Sequence, residues 1–184
     1  DTGCAVDLGG IAKGYASDRV AEILRQNAVT GAAVSLGGNV YVCGQKPDGT
    51  GWSVAVQDPK NTDSYALTLE LTDTFAVTSG GYQRFFTGED GTVYQHILDP
   101  RTGRPAETDL LSVTVIAQNG TMADAYSTAL YVMGEQGACD FWRQSAAAFD
   151  LVLVTSDGRV LYTPGLEGHI SQKGADYVFS QIQT

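Results

Sequence analysis

The sequence predicts a single α+β domain over residues 1–184, with a mainly antiparallel sheet and helices packed against it. Segments that alternate apolar and polar residues recur along the chain and are joined by short glycine-containing turns, a pattern typical of antiparallel strands. Other segments repeat apolar residues at the spacing of an amphipathic helix. With 43% hydrophobic and 17% charged residues, the 184-residue chain has the composition of a folded globular domain.

The first part of the chain contains one predicted helix followed by most of the predicted strands. Apolar residues recur at helical spacing after Gly9-Gly10, which predicts a helix from Ile11 to about residue 27. The turn at residues 37–39 predicts a hairpin between the first two strands. Strands are predicted over residues 32–36, 40–43, 52–56, 65–71, 75–78, 92–98 and 111–117.

The second part begins with helical periodicity and ends with little pattern. A helix is predicted from Met122, is broken at Gly134, and is followed by a second helix over residues 138–148. Residues 151–155 and 160–162 predict a hairpin around a glycine-containing turn. The last twenty residues are only weakly patterned.

The net charge of the chain limits the kinds of ligand or partner that it can bind. The 11 Lys and Arg residues against 21 Asp and Glu give a formal net charge of −10, which argues against nucleic-acid binding because that function requires a basic surface. A polyanionic ligand would have to be met locally by backbone amides, by Lys13 or by a metal ion, so a phosphate ligand here points to bound Mg²⁺. No apolar stretch approaches the roughly 20 residues of a membrane-spanning helix.

The cysteines and the start of the chain bear on its cellular context. Cys4, Cys43 and Cys139 are widely separated and have no zinc-site spacing, so we interpret them as buried or spare thiols, with one disulfide plus a free thiol left open. Because the chain opens at Asp1, only a few residues before a motif expected to be buried, we expect a piece of a longer protein without its targeting segment.

The stretch over residues 6–18 carries the first candidate site. Glycines at Gly9-Gly10 allow the backbone N–H groups at the start of the following helix to approach a phosphate closely. Lys13 adds a cation in the first turn, and Asp7 is placed to hold a ribose hydroxyl or to help fix a metal. The alternative is a tight strand-to-helix turn with a solvated lysine.

Two further loops offer groups to an anionic ligand. His96 ends a predicted strand before an Asp-Pro turn, where it could donate to a phosphate or relay a proton near neutral pH. The alternative is a structural histidine hydrogen-bonded to the neighbouring turn. Residues 78–82, including Ser79, form another loop able to offer hydroxyls and amides.

A carboxylate and a hydroxyl are spaced by one helical turn in the second predicted helix. Asp124 and Thr128 are four residues apart, so they share one helix face, and their oxygens suit a hard cation. The alternative is an Asp favoured by the helix dipole, with Thr128 bonded back to a backbone carbonyl.

Together and in this order, these motifs resemble the successive signatures of the ApbE-type FAD:protein FMN transferases. The segments that carry the resemblance are residues 7–16, 35–39, 78–82, 96–103 and 123–130. The resemblance implies an ApbE/T-fold-like flavin-transferase domain that lacks the N-terminal part of the family domain, which helps to enclose the flavin and the adenine. It also implies a Mg²⁺-dependent flavoprotein enzyme that moves FMN from FAD onto a threonine or serine of an acceptor protein and releases AMP.

The same resemblance implies roles for individual residues. The metal ligands would be the side chains of Asp124 and Thr128 and the backbone carbonyl of Gly10. The catalytic residues would be His96 and Asp124, either of which could accept the proton of the attacking hydroxyl. The residues implied to contact FAD are Asp7, Gly10, Lys13, Ser79, His96 and Ile97.

The resemblance also implies a cellular context and leaves two alternative functions open. It implies that the full-length protein lies outside the cytoplasm as a lipoprotein anchored to the cell membrane through a segment outside this chain. One alternative is a Mg²⁺-dependent FAD pyrophosphatase, in which water replaces the acceptor hydroxyl. The other is a module that binds FAD without turnover.

Overall fold

The computed structural model describes residues 3–89, 91–146 and 148–183. Two α-helices, α1 (Ala12–Gln26) and α2 (Gly120–Gln144), accompany two short 3₁₀ helices, Gly81–Gln83 and Pro164–His169. The strands are β1 (Gly31–Leu36), β2 (Asn39–Gly44), β3 (Trp52–Gln57), β4 (Tyr65–Leu71), β5 (Thr74–Ser79), β6 (Phe85–Thr87), β7 (Val93–Gln95), β8 (Leu98–Asp99), β9 (Arg104–Pro105), β10 (Leu110–Ala117), β11 (Asp150–Thr155), β12 (Arg159–Tyr162), β13 (Ile170–Lys173) and β14 (Val178–Gln181).

Seven of the fourteen described strands form one large sheet with the order β1-β2-β5-β10-β11-β12-β14. Every neighbouring pair in it is antiparallel except β12 and β14, which run parallel. A second, three-stranded sheet has the order β13-β4-β3 and is antiparallel throughout. The predicted α+β class with a mainly antiparallel sheet is therefore confirmed.

The large sheet is covered on both faces. Along β11, Leu151 and Leu153 belong to the hydrophobic cluster that contains residues of α1 and α2. Val152 and Val154, which alternate with them, belong to the cluster that contains the small sheet. Because alternate residues of a strand face opposite sides, the helices and the small sheet pack on opposite faces of the large sheet.

The two helices approach each other at a pair of glycines. A Cβ atom placed on Gly14 of α1 would lie only 2.3 Å from the carbonyl oxygen of Gly120 of α2. A Cβ atom on Gly120 would lie 2.9 Å from the carbonyl oxygen of Gly14. Since real side chains do not come so close, the backbones of α1 and α2 can touch only because both residues are glycine.

Two predicted elements differ from the structure in the middle of the chain. The strand predicted over residues 92–98 is interrupted, because the backbone turns after Gln95 to bury Ile97 while His96 stays exposed. The break predicted at Gly134 is confirmed, because its φ of +73° and ψ of 179° are not helical, but the helix resumes directly after Gly134 and ends at Gln144 instead of spanning residues 138–148. The carboxylate of Asp109 accepts the N–H of Glu135 at 2.9 Å, which caps the helix as it resumes after Gly134. Ala147 lies outside the described residues.

The weakly patterned tail contains two strands that the sequence did not predict. Strand β13 lies at the edge of the small sheet, and β14 lies at the edge of the large one. Both expose most of their residues, so neither carries the alternation that burial of one face imposes. The hairpin predicted before them, β11 and β12, is confirmed.

Two further findings concern the cysteines and the membrane. Cys4, Cys43 and Cys139 are all free thiols, with the first exposed and the other two buried, so the disulfide left open by the sequence is not formed. Among the described residues, neither α-helix has the length and apolarity needed to cross a bilayer.

Candidate active site

One cavity of about 1230 Å³ brings together every site residue chosen from the sequence. It lies where the start of α1, the β1–β2 turn, the end of β5 and the first turns of α2 meet. The predicted residues that line it are Asp7, Gly10, Lys13, Ser79, His96, Ile97, Asp124 and Thr128. Segments far apart in the sequence thus converge on one concave surface, as expected of a ligand site.

The two sides of the cavity differ in character. The groups at the helix starts are polar, whereas the side formed by β2, β3 and β5 contributes Val40, Val54, Val56 and Ala76. Tyr82 also lines the cavity, and burial raises the pKa of its phenol, so it stays protonated at neutral pH. The cavity therefore combines an apolar wall suited to a ring system with polar groups suited to a charged one.

The start of α1 presents hydrogen-bond donors to the cavity. The carboxylate of Asp7 accepts the N–H of Gly9 at 2.6 Å, which fixes the turn before the helix. The N–H groups of Gly10 and Lys13 have no hydrogen-bond partner among the described residues. The ammonium of Lys13 donates to the carbonyl of Gly37 at 3.0 Å, so it reaches from α1 to the β1–β2 turn. Two free amides and a cation at a helix start suit a phosphate group.

The carboxylate of Asp124 caps the first turn of α1. Asp124 is 3% exposed, and its Oδ2 accepts the N–H of Gly14 at 2.8 Å. Gly14 is the third residue of α1, so its N–H is one of the groups at a helix start that have no partner within the helix. The carbonyl of Gly10, which precedes the helix, has no donor among the described residues, and neither has Oδ1 of Asp124. Gly10 and Asp124, which carry these two unpaired oxygens, both line the cavity.

Hydroxyl groups surround the next turn of α2. The hydroxyl of Thr128 lies 3.0 Å from that of Ser79 and donates to the carbonyl of Asp124 at 3.3 Å. The hydroxyl of Ser127 lies 2.8 Å from that of Ser79 and also donates to the Asp124 carbonyl, at 2.9 Å. The Thr128 hydroxyl therefore bonds back to a backbone carbonyl, as in the alternative considered above. Thr128 and Asp124 nevertheless also line the same cavity. Sequence reasoning missed Ser127, because a buried serine beside small residues has no distinctive pattern.

His96 is held by Arg84, which lies just before β6, rather than by the turn that follows the histidine. Its Nδ1 lies 3.1 Å from the carbonyl oxygen of Arg84, which also accepts the backbone N–H of His96 at 3.2 Å. Because a carbonyl oxygen can only accept, this hydrogen bond requires the proton on Nδ1 and leaves Nε2 of the neutral ring unprotonated. Nε2 can then accept a proton. The carboxylate of Asp99 in the turn pairs instead with Arg101, which holds the pKa of Asp99 below its usual range.

The oxygens around Asp124 fit a hard cation better than a transition metal. The described residues contain no group of three or more His, Cys, Asp and Glu side chains able to hold a metal. The oxygen atoms available as metal ligands are a carboxylate oxygen of Asp124, the hydroxyl of Thr128 and the carbonyl of Gly10. A set of neutral and anionic oxygens, completed by water and ligand phosphates, is the arrangement that Mg²⁺ prefers.

Comparison with known proteins identifies relatives of one family. The model of the ApbE family matches residues 1–152. The FAD:protein FMN transferase of Treponema pallidum is 36% identical over an alignment of 188 positions that covers 97% of this chain and 51% of that protein. The Escherichia coli K12 enzyme of the same name is 34% identical over 154 residues, which covers 83% of this chain and 43% of that one.

Solved structures give the same result. The ApbE protein of Thermotoga maritima matches with a TM-score of 0.75 and 38% identity, covering 86% of this chain and 51% of that one. The flavinyl transferase ApbE of Pseudomonas stutzeri matches with a TM-score of 0.70 and 34% identity, covering 83% and 46%. The chain therefore spans about half the length of the relatives it matches.

Proposed function

The chain belongs to the ApbE family, and on that premise we propose that it is part of an FAD:protein FMN transferase. The reaction would move FMN from FAD onto the hydroxyl of a threonine or serine in an acceptor protein, release AMP and depend on Mg²⁺. The relatives named as FAD:protein FMN transferases support this class of reaction.

The observation that carries the proposal is the contact of Asp124 with the start of α1. One oxygen of Asp124 caps the Gly14 N–H and the other has no donor among the described residues, and Gly10, whose carbonyl also has no donor among them, lines the same cavity. The unpaired N–H groups of Gly10 and Lys13 lie in the same turn. A cation site directly beside a phosphate site is the arrangement that chemistry at a diphosphate requires.

The residues of this chain would mainly position and neutralise the diphosphate. The amides of Gly10 and Lys13 and the Lys13 ammonium supply local donors, which the protein needs because its net charge of −10 repels a polyanion. Mg²⁺ bound by Asp124, Thr128 and the Gly10 carbonyl would neutralise charge on the phosphoryl oxygens and on the leaving AMP.

His96 is the better candidate for the general base. The acceptor oxygen forms a bond to the FMN phosphorus, the bond from that phosphorus to the bridging oxygen breaks, and AMP leaves with that oxygen. The hydroxyl proton passes to Nε2 of His96, which the Nδ1 hydrogen bond to Arg84 leaves free. Asp124 is less suited, because one of its oxygens is occupied by Gly14 and the other is assigned to the metal.

The setting of the reaction is part of the same proposal. The full-length protein would act outside the cytoplasm, as a lipoprotein anchored to the cell membrane by a segment outside these residues. Its partners would be FAD and the acceptor protein. The acidic charge supports neither nucleic acid nor an anionic lipid surface as a further partner of this domain.

A reaction with three measured products tests the proposal. The full-length protein is incubated with FAD, Mg²⁺ and an acceptor protein that the Escherichia coli relative flavinylates, and that relative is run in parallel as the positive control. Mass spectrometry follows covalent FMN on the acceptor, free FMN and AMP. The expected result is FMN on the acceptor together with AMP, lost when EDTA is added or when the acceptor threonine is replaced by valine.

The same measurements separate the alternatives. FMN and AMP in equal amounts, formed with or without the acceptor, would identify an FAD pyrophosphatase. Bound but intact FAD, under conditions in which the control enzyme modifies the acceptor, would identify a binding module and overturn the proposal.

A further inference from the structure

Each of the two helices at the site provides a carboxylate that caps the start of the other helix. In both helices this carboxylate follows the contact glycine by four residues. On α1, Gly14 is followed four residues later by Asp18, and on α2, Gly120 is followed four residues later by Asp124. Asp124 of α2 accepts the Gly14 N–H of α1 at 2.8 Å. Asp18 of α1 accepts the Gly120 N–H of α2 at 2.7 Å. Each helix therefore holds the start of the other.

The carboxylate of Asp18 is fully used in this contact. Its Oδ1 accepts from Gly120, and its Oδ2 accepts both the N–H of Thr121 at 2.8 Å and the Thr121 hydroxyl at 2.6 Å. Asp18 does not line the cavity, whereas Asp124 does. The two carboxylates are alike in position along their helices, but only Asp124 keeps an oxygen for a ligand.

A second cap on the same helix has no such link to α1. The side chain of Asn119 accepts the N–H of Met122 at 2.7 Å, and its carbonyl accepts the N–H of Ala123 at 3.0 Å. Asn119 and Asp18 together satisfy the first four N–H groups of α2. Asn119 precedes α2 in the chain, so it caps that helix without tying it to another.

We propose that Asp18 is a positioning residue that sets Asp124 against the first turn of α1. By binding the start of α2 across the Gly14–Gly120 contact, it fixes how far α2 can slide along α1. That register determines whether Asp124 can reach the Gly14 N–H with one oxygen and keep the other for a ligand. The functional consequence, cation binding, rests on the proposed function, whereas the positioning itself does not.

The test compares two caps of one helix. Asp18→Ala and the milder Asp18→Asn remove the link between helices, and Asn119→Ala is the matched control that weakens only the cap. The first measurement is amide hydrogen exchange by NMR at Gly14 and at Val115 in the centre of the large sheet. We expect the Asp18 variants to raise the exchange rate of Gly14 about 10-fold relative to that of Val115, while Asn119→Ala leaves this ratio unchanged.

The second measurement is binding of Mn²⁺, which replaces Mg²⁺ in oxygen sites and is followed by electron paramagnetic resonance. Loss of a residue that orients a metal ligand typically weakens affinity by about 10–100-fold, and we expect that range for Asp18→Ala but not for Asn119→Ala. Thermal unfolding of all variants gives the stability change against which both results are judged.

Three results would overturn the proposal. One is an unchanged Gly14 exchange ratio in Asp18→Ala. Another is an equal change in Asn119→Ala, which would make Asp18 an ordinary cap. The third is a Gly14 rate that rises only together with that of Val115, which would mean global destabilisation. If the unaltered chain binds no Mn²⁺, the cation site of the proposed function is wrong, yet the exchange ratio still decides the role of Asp18.

Discussion

At the scale of single residues, the proposed chemistry depends on how the oxygens of Asp124 are divided. One oxygen accepts the Gly14 N–H at 2.8 Å, and the other has no partner among the described residues. A buried carboxylate with an unused oxygen is costly unless a cation or solvent meets it. The residue types of this site could be predicted from the sequence. The division of the carboxylate could not, because it depends on how α1 and α2 cross.

We expect Asp124→Asn to abolish cation binding while preserving the fold. Asparagine keeps an acceptor oxygen for Gly14, so the free energy of unfolding should change by less than about 1.5 kcal/mol. Loss of the charge should weaken Mn²⁺ binding by more than about 100-fold and stop turnover. The control is Asp140→Asn, a half-exposed carboxylate on the same helix that pairs with Arg143. Unaltered Mn²⁺ affinity in Asp124→Asn would show that the metal binds at another place.

The second prediction at this scale concerns the two histidines. Both have Nδ1 against a backbone carbonyl, His96 against Arg84 and His169 against Glu70, but only His96 lines the cavity. His96→Ala should lower the rate of FMN transfer by about 10²–10⁴-fold, the range typical of a lost general base. His169→Ala should leave the rate unchanged. Equal rates for the two variants would show that His96 takes no part in the chemistry.

At the scale of elements, the close crossing of α1 and α2 decides where the site residues meet. A Cβ atom at either contact position would lie within 3 Å of the backbone of the other helix, so both positions require glycine for steric reasons. The sequence marks Gly14 only as part of a helix start. Its partner, Gly120, lies 106 positions later at the first residue of α2. The pair cannot be recognised from the sequence, because the two glycines meet only after the strands between them in the chain have formed the sheet on which both helices pack.

Gly14→Ala tests this crossing. In an exposed helix the change would stabilise by up to about 1 kcal/mol, since alanine is the better helix former. Here the added Cβ would lie 2.3 Å from the Gly120 carbonyl oxygen and 2.6 Å from the Asp124 Cβ. We therefore expect a loss of about 1–3 kcal/mol in urea unfolding and weaker cation binding. Gly168→Ala, where a Cβ would meet nothing within 4 Å, is the control. A stabilised Gly14→Ala variant would contradict the close crossing.

The same scale explains which elements the sequence predicted. The helix α1 and the strands β1 to β5, β10, β11 and β12 carry clear periodicity or lie beside clear turns, and all were found within a few residues of their predicted bounds. The edge strands β13 and β14 and the short pairs β6–β7 and β8–β9 were missed or merged. Their residues are mostly exposed, so burial imposes no pattern on them.

At the scale of the whole molecule, the acidic charge opposes the entry of FAD. With a net charge of −10, the protein repels an anionic dinucleotide at distances beyond the reach of Lys13. Raising the ionic strength from about 0.01 M to 0.15 M shortens the screening length from about 30 Å to 8 Å. We expect the association rate of FAD, measured by stopped-flow flavin fluorescence, to rise severalfold. Riboflavin, which is neutral, should show no such change. A falling FAD rate would indicate steering by a local basic surface instead.

The last prediction follows from the share of its relatives that the chain spans. These 184 residues correspond to 51% of the Treponema pallidum protein. They contain the polar end of the cavity and one apolar wall. Val6 and Leu8, which flank Asp7 at the cavity, are 85% and 56% exposed, so no apolar partner covers them among the described residues.

A tight ligand site commonly buries about 70–90% of a ligand's surface, much of it on apolar walls. We therefore expect the chain to fold, to bind Mg²⁺ weakly, and to hold FAD at least about 10-fold less tightly than the full-length relative, since each 1.4 kcal/mol of lost burial is tenfold in affinity. Titration of both proteins by flavin fluorescence, with and without Mg²⁺, measures the difference. ADP, which carries the diphosphate but no flavin, is the control. Its affinities should differ much less, because the groups around Gly10 and Lys13 are present in the chain. Equal affinities of the two proteins for FAD would show that these residues alone build the complete pocket.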